Sequence, residues 1–261
     1  MSVAEARLQL HWAVQVLARF GDAHVDARPD FSHSALTWDP AARRFNTEAD
    51  AAGRRLQFDP VDLTFRLERA GAEAAEFALR GRTLTDALGW LAAIPDNIGR
   101  LEIGGPDVPA HPVSRGAAFD PDPDDAAELA TWFHSAHEAL TGLRGVWPSA
   151  SPVRCWPHHF DVAILIPLDT PEVQPDPEKA RSVGAGMTPG DATYPEPYWY
   201  VTPWPYPARP DLPALPAGAV WHTEGWLGAV LHGADAMLAG PEGIAEYLAA
   251  AAEICAGMAG R

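Results

Sequence analysis

Apolar residues recur at helical spacing near both ends of the chain. In the stretch 4–20, Leu10, Val14 and Leu17 follow this spacing, and Gly21 comes where a helix would stop. From Pro241 onward a second apolar stripe runs through Ile244, Tyr247, Leu248, Ala251, Cys255 and Met258. The pattern predicts an opening and a closing helix that pack on a core, and it makes Cys255 an inert packing residue.

Two further helices are indicated by their first residues. Thr83 stands three residues before Asp86 at the head of an apolar run, which is typical of a capping box. Asp122 precedes Pro123 and two more aspartates, an arrangement that favours a helix with Asp122 as its N-cap.

Between the opening helix and the helix that follows Thr83, the hydrophobic pattern changes from helical spacing to alternation. Leu63, Phe65 and Leu67 alternate with polar residues, which predicts a half-buried antiparallel strand. Shorter strands are expected at 34–38, 55–58 and 76–79, with a hairpin turn at 70–72.

The stretch 151–166, SPVRCWPHHFDVAILI, places polar residues at the start of an apolar run that is typical of a strand. If the run is extended from its histidines onward, His159 and Asp161 share one face, because side chains alternate along a strand. The same reasoning applied to 221–226, WHTEGW, places His222 and Glu224 on one face of a second extended segment.

These two pairs allow a metal site if the two strands are neighbours. His159, Asp161, His222 and Glu224 would suit Zn, Mn or Fe, since imidazole and carboxylate are common ligands of these ions. Without a metal, His159 oriented by Asp161 could act as a general base. The alternative is that all four are hydrogen-bonded polar residues at strand ends.

Prolines and aromatic residues are concentrated in the segment that follows. The range 167–216 holds 13 of the 26 prolines, a density that favours an extended loop laid over the second sheet. One edge strand is expected at 198–202, with Tyr198 and Tyr200 on the same face as Glu196. Six of the ten tryptophans lie in the range from Trp147 to Trp226. This cluster predicts either the lining of a ligand pocket or an aromatic core under the loop. The candidate binding residues are Trp156, His158, Glu196, Tyr198, Tyr200, Trp221 and Trp226.

The order of these elements predicts an α+β fold of two related antiparallel sheets with covering helices. A connection at 96–118 divides the chain into an N-terminal half, 1–110, and a C-terminal half, 111–261, that carries the candidate site. The alternative is one integrated domain.

Charge and cysteine content restrict the partners. A formal charge of −16 argues against nucleic acid or an anionic membrane and favours cations or neutral organic molecules. The sequence has only two cysteines, no leader-like apolar stretch and no apolar run near the roughly 20 residues that span a bilayer. These features predict a cytoplasmic protein.

Three ordered blocks, SPVRCWPHHFD, RSVGAGMTPGD and PYWYVTPWPYP, cover roughly residues 150 to 207. Through them the chain resembles a family of bacterial proteins of unknown function. The resemblance implies no activity. The position of the pair His158 and His159 is often occupied by small residues in that family. This departure argues against a family-wide metal site at the pair and leaves a specialised branch open.

We expect the protein to bind a small molecule in an aromatic pocket that contains a histidine and carboxylate cluster. If the protein is an enzyme, it would also transform that molecule. A divalent metal would serve the enzymatic version by activating water or polarising a carbonyl. The alternatives are a non-catalytic small-molecule binding module and a protein-interaction module. No nucleophile elbow and no phosphate-binding glycine loop are present in the sequence.

Overall fold

A computed structural model describes residues 2–70, 72–94, 103, 108–176, 179–208 and 211–259. It divides the chain into two compact units, one of residues 1–134 and 154–160, the other of residues 135–153 and 161–261. The sequence pattern had predicted a division at residue 110. Of the predicted connection at 96–118, residues 96–102 and 104–107 lie outside the described residues.

The first unit is built on a five-stranded antiparallel meander in the order β1-β2-β3-β4-β5. Its elements are α1 (Val3–His24), β1 (Thr37–Asp39), β2 (Arg44–Asn46), β3 (Arg55–Asp59), β4 (Thr64–Arg69), β5 (Ala72–Ala78) and α2 (Leu84–Ala93), a 3-10 helix (Pro112–Arg115), the first part of α3 (Pro123–Val146), and β6 (Arg154–Trp156). The predicted capping box of α2 is present, with Thr83 and Asp86 bonded reciprocally. Asp122 accepts from the amide of Asp124 at the start of α3, 2.9 Å away.

One aromatic residue from each strand crosses this sheet in register. Trp38, Phe45, Phe58, Phe65 and Phe77 occupy successive paired positions on β1 to β5. The first four of these side chains are buried, and their positions alternate with polar ones such as Gln57 and Arg66. The alternation that predicted β4 therefore also marks the core face of the sheet, because the strand register carries that face across to its neighbours.

The second sheet has six strands in the order β10-β11-β9-β8-β7-β6, which confirms an α+β fold with two antiparallel sheets. The strands and helix of the second unit are β7 (Asp161–Pro167), β8 (Ser182–Thr188), β9 (Tyr198–Trp204), β10 (Val220–His222), β11 (Gly228–His232) and α4 (Gly233–Met258). Helix α4 packs on β8, β9 and β11. Within the described residues, no helix is both long and apolar enough to cross a membrane.

The proline-rich segment contains two interior strands, β8 and β9, so the prediction of β9 as an edge strand is wrong. β9 tolerates Pro203 because its pairing with β11 covers only Tyr198 to Val201, and Pro203 lies beyond the end of that ladder. β8 gave no clear strand signal because its alternate positions carry glycines, Gly184 and Gly186, in place of polar side chains.

The closing helix begins earlier than its sequence signal. α4 starts at Gly233, and Gly240 breaks its helical backbone with a φ of 67° directly before Pro241. Pro241 is therefore the first residue of the second helical segment rather than of the whole helix.

Candidate functional site

The two faces of the second unit's sheet differ in composition. On β9, the positions of Trp199 and Val201 are fully buried and apolar, as expected for the face that α4 covers. The alternate positions carry Tyr198 and Tyr200. We call this second side of the sheet the tyrosine face; its members, taken from strand register, include Asp161, Gly184, Gly186, Thr188, Tyr198, Tyr200, Thr202, His222, Gly228, Val230 and His232.

Glycine on β8 allows a contact between β9 and β7. Tyr200 is paired with Gly186, and its hydroxyl donates a hydrogen bond to Oδ2 of Asp161 at the start of β7. A Cβ added at Gly186 would lie 2.6 Å from the Tyr200 hydroxyl oxygen and 2.7 Å from the carbonyl oxygen of Val162. The phenol ring thus occupies the space that a side chain at Gly186 would need.

A second tyrosine and carboxylate pair lies next to the first. The Tyr198 hydroxyl donates to Oδ2 of Asp191, 2.6 Å away. Oδ1 of Asp191 accepts from the amides of Thr193 and Tyr194, at 2.7 and 2.8 Å, so the same carboxylate forms the turn that precedes β9.

Both phenols stay protonated over an extended pH range. Burial, followed by the charge of Asp161 and the hydrogen bond to it, raises the pKa of Tyr200 well above its usual value. Burial, followed by the hydrogen bond to Asp191, raises the pKa of Tyr198, and the charges of Asp191 and Asp161 both add to this rise. The two carboxylates therefore act on the same part of the tyrosine face.

Tyr194 connects these pairs to a histidine. Its hydroxyl lies 2.8 Å from Nδ1 of His222, and Nε2 of His222 donates to the carbonyl oxygen of Glu224, 2.7 Å away. With its proton on Nε2, His222 accepts a hydrogen bond from the Tyr194 hydroxyl at Nδ1. The imidazole is stacked on Trp226 with ring centroids 4.3 Å apart.

The result is a continuous line of rings, which we call the aromatic row: Trp226, His222, Tyr194, Tyr198 and Tyr200. Tyr194 stands edge-on to its neighbours, with centroids 5.6 Å from His222, 5.1 Å from Tyr198 and 4.9 Å from His232. Tyr198 and Tyr200 are 6.4 Å apart. Trp226 lies over Gly228, where an added Cβ would come within 2.4 Å of the indole ring.

Neither predicted histidine and carboxylate pair lies along one strand. Residues 157–160 form a turn in the first unit, with Phe160 at a φ of 58°, and β7 begins only at Asp161. His159 and Asp161 therefore do not alternate along one strand. β10 ends at His222, so Glu224 lies outside the strand, and its backbone rather than its carboxylate meets His222.

The four residues predicted to bind a metal do not form such a group. Among the residues that the structure describes, no three or more His, Cys, Asp and Glu side chains are close enough to hold a metal ion. In the second unit both ring nitrogens of His222 are engaged in hydrogen bonds, and Asp161 accepts from Tyr200.

The predicted binding residues occupy different places. Tyr198, Tyr200 and Trp226 belong to the aromatic row, whereas Glu196 is exposed in the loop before β9. Trp221 is on β10, where its indole nitrogen donates to the carbonyl of Pro213, 2.8 Å away. Trp156 and His158 lie in the first unit, with ring centroids 6.1 Å apart.

Sequence reasoning missed three members of the site: Tyr194, Asp191 and Gly186. The spacing of Asp191 and Thr193 is that of an Asx turn and could have been recognised. The role of Gly186 had no local signal, because it depends on which residue of β9 is paired with it.

No protein-family model, curated protein or solved structure matches the chain. The resemblance to a bacterial family of unknown function stays a prediction, and the case for a site in the second unit depends on its geometry.

Proposed function

We propose that the second unit binds a small organic molecule at the aromatic row. The observation that carries the proposal is the row itself: five neighbouring rings on one sheet face, held in place by two tyrosine and carboxylate hydrogen bonds. Rigid aromatic side chains provide large contact areas at small entropic cost, and convergent polar groups then select the orientation of a ligand.

The hydrogen bonds favour binding over acid or base catalysis. The hydroxyls of Tyr200 and Tyr198 donate hydrogen bonds to Asp161 and Asp191, and the Tyr194 hydroxyl is hydrogen-bonded to His222. A phenol whose pKa is raised by burial and by a neighbouring carboxylate, as at Tyr200 and Tyr198, does not readily give its proton to a substrate near neutral pH. The three hydroxyl groups hold the rings in fixed positions through these hydrogen bonds. The faces and edges of the rings remain as the contact surface for a ligand.

Accessibility of the row also supports the proposal. Tyr194, Tyr200, Trp226 and the neighbouring His232 are all half-buried, so each combines a fixed position with surface that a ligand can reach. Fully buried rings such as Trp199 have no such surface.

A fragment screen by NMR on the full chain tests the proposal, with the tryptophan indole N–H signals as site-specific reporters. The signals of Trp226 and Trp204 are assigned from the variants Trp226→Phe and Trp204→Phe. A genuine ligand is expected to shift the Trp226 signal and to leave that of Trp204, which is 42% exposed, unchanged.

The variant Tyr194→Leu removes the central ring of the row and is expected to weaken such ligands about tenfold. Tyr206→Leu is the matched control, since it removes an exposed tyrosine outside the row. The proposal is wrong if no fragment shifts Trp226, or if the fragments that do so bind Tyr194→Leu unchanged while that variant remains folded.

A further inference from the structure

The charge around the aromatic row indicates the class of ligand. Two carboxylates, Asp161 and Asp191, are bonded to tyrosines of the row. On β7 to β11, all of whose residues the structure describes, no position on the tyrosine face is a lysine or an arginine.

The orientation of the phenol groups adds to this charge. Tyr198 and Tyr200 donate hydrogen bonds to carboxylates, so the negative ends of their O–H dipoles are directed away from those carboxylates. The field of the carboxylates is also evident at Tyr198, where two separate aspartates stabilise the neutral phenol. A field that opposes a phenolate stabilises a cation at the same place.

The wider unit has the same sign. Residues 135–153 and 161–261 contain 14 Asp and Glu but five Lys and Arg. Two of these five cations are paired locally, Arg181 with Asp169 at 2.7 Å and Lys179 with Asp176 at 2.9 Å. An anionic ligand would meet repulsion at this surface, whereas a cation would be attracted.

Aromatic faces complete the chemistry. The rings of tyrosine and tryptophan attract cations through the negative charge of their π faces, and alkylated ammonium groups combine this attraction with apolar contact. Tyr194, Tyr200 and Trp226 supply three accessible rings of this kind within one row.

We propose that the ligand of the aromatic row is an organic cation bearing an alkylated ammonium group, held by the π faces of Tyr194, Tyr200 and Trp226 next to Asp161 and Asp191. This inference rests on the proposed function, because it assigns a ligand class to the same site.

The test compares choline with 3,3-dimethylbutan-1-ol, a neutral molecule of the same shape, by titration of the 261-residue chain at constant ionic strength. Both are followed through the Trp226 indole signal. Choline is expected to bind about tenfold more tightly than the neutral alcohol, because the alcohol retains the apolar contact but loses the attraction to the rings and carboxylates. Raising the salt concentration is expected to weaken choline alone.

Asp191→Asn is the informative variant. Asparagine keeps an oxygen for the amides of Thr193 and Tyr194, so the turn is retained while one negative charge is removed. Choline binding is expected to fall by about three- to tenfold. Glu246→Gln on α4 removes the same charge from an exposed position of the same unit and is expected to leave choline binding within about twofold of the wild type.

The outcomes separate the two proposals. If the neutral alcohol binds as tightly as choline, or if both variants weaken choline equally, the ammonium inference is wrong while ligand binding at the row stands. If choline fails to shift Trp226 but neutral aromatic fragments do so, the same conclusion follows. If no probe of any kind shifts Trp226, both proposals fall.

Discussion

The hydroxyl of Tyr200 reaches Asp161 across an intervening strand, because the residue between them on β8 is a glycine. This side-chain contact joins β9 to β7 across β8 on the tyrosine face, in addition to the backbone hydrogen bonds between neighbouring strands. The contact orients the phenol at one end of the aromatic row and places a negative charge beside it.

Gly186→Ala is expected to destabilise the protein by about 1–3 kcal/mol, because the new methyl group would overlap the phenol of Tyr200 and the backbone of Val162. Gly184→Ala is the matched control on the same strand, since the nearest atom to its added Cβ is a methyl carbon of Thr202 at 3.2 Å. Urea denaturation of the two variants gives the comparison. Equal losses of stability would show that Tyr200 does not occupy the space over Gly186.

Tyr200→Phe keeps the ring but removes the donor to a buried carboxylate. We expect a loss of about 1.5–3 kcal/mol in the free energy of unfolding, which is the usual range for a hydrogen bond to a charged group. Tyr206→Phe, at an exposed position, is expected to change stability by less than about 0.5 kcal/mol. An equally small effect at Tyr200 would argue against the bond to Asp161.

His11 in the first unit makes stability depend on mild acid. Burial lowers the pKa of His11 to about 4, although its Nε2 donates to the carbonyl of Pro157, 2.8 Å away. His11 in the unfolded chain therefore becomes protonated near pH 6.5, whereas His11 in the folded protein becomes protonated only near pH 4. The free energy of unfolding therefore falls as the pH decreases from 6.5 to 4. The expected loss is roughly 3 kcal/mol.

NMR titration of the His11 ring measures this pKa directly, and urea denaturation at several pH values measures the loss of stability. In His11→Gln the dependence on pH between 6.5 and 4 should become shallower than in the wild type. His158→Gln is the control, because His158 is exposed. A His11 resonance that titrates near pH 6.5 in the folded protein would contradict the prediction.

Both cysteines are expected to be unreactive in the folded protein. Cys155 and Cys255 are both buried, and burial raises the pKa of the Cys255 thiol to about 12. Since the thiolate is the reactive form, an aromatic disulfide reagent should label both residues only after unfolding. Rapid labelling of one thiol under native conditions would show that its side chain is accessible.

Much of the fold was determined by local sequence. The period-2 pattern from Leu63 to Leu67, the capping box at Thr83 and the stripe from Ile244 to Met258 specify their elements, because each depends on neighbours a few residues away. The α+β class with two antiparallel sheets followed from the order of those elements.

The site could be predicted only in part. Tyr198 and Tyr200 were placed on one face from their spacing alone, and the structure confirms that alternation. The pairs His159 with Asp161 and His222 with Glu224 were not arranged as predicted, because each extends past the end of a strand, where alternation no longer holds.

The amino-acid sequence by itself determined which residues could form helices, strands and turns, since these preferences are set by side-chain spacing and capping. Only the tertiary structure decided that Gly186 lies under Tyr200, that Tyr194 meets His222, and that β9 is an interior strand. Those relationships depend on strand order and register, which are fixed by the burial of the whole unit's apolar surface rather than by any local signal.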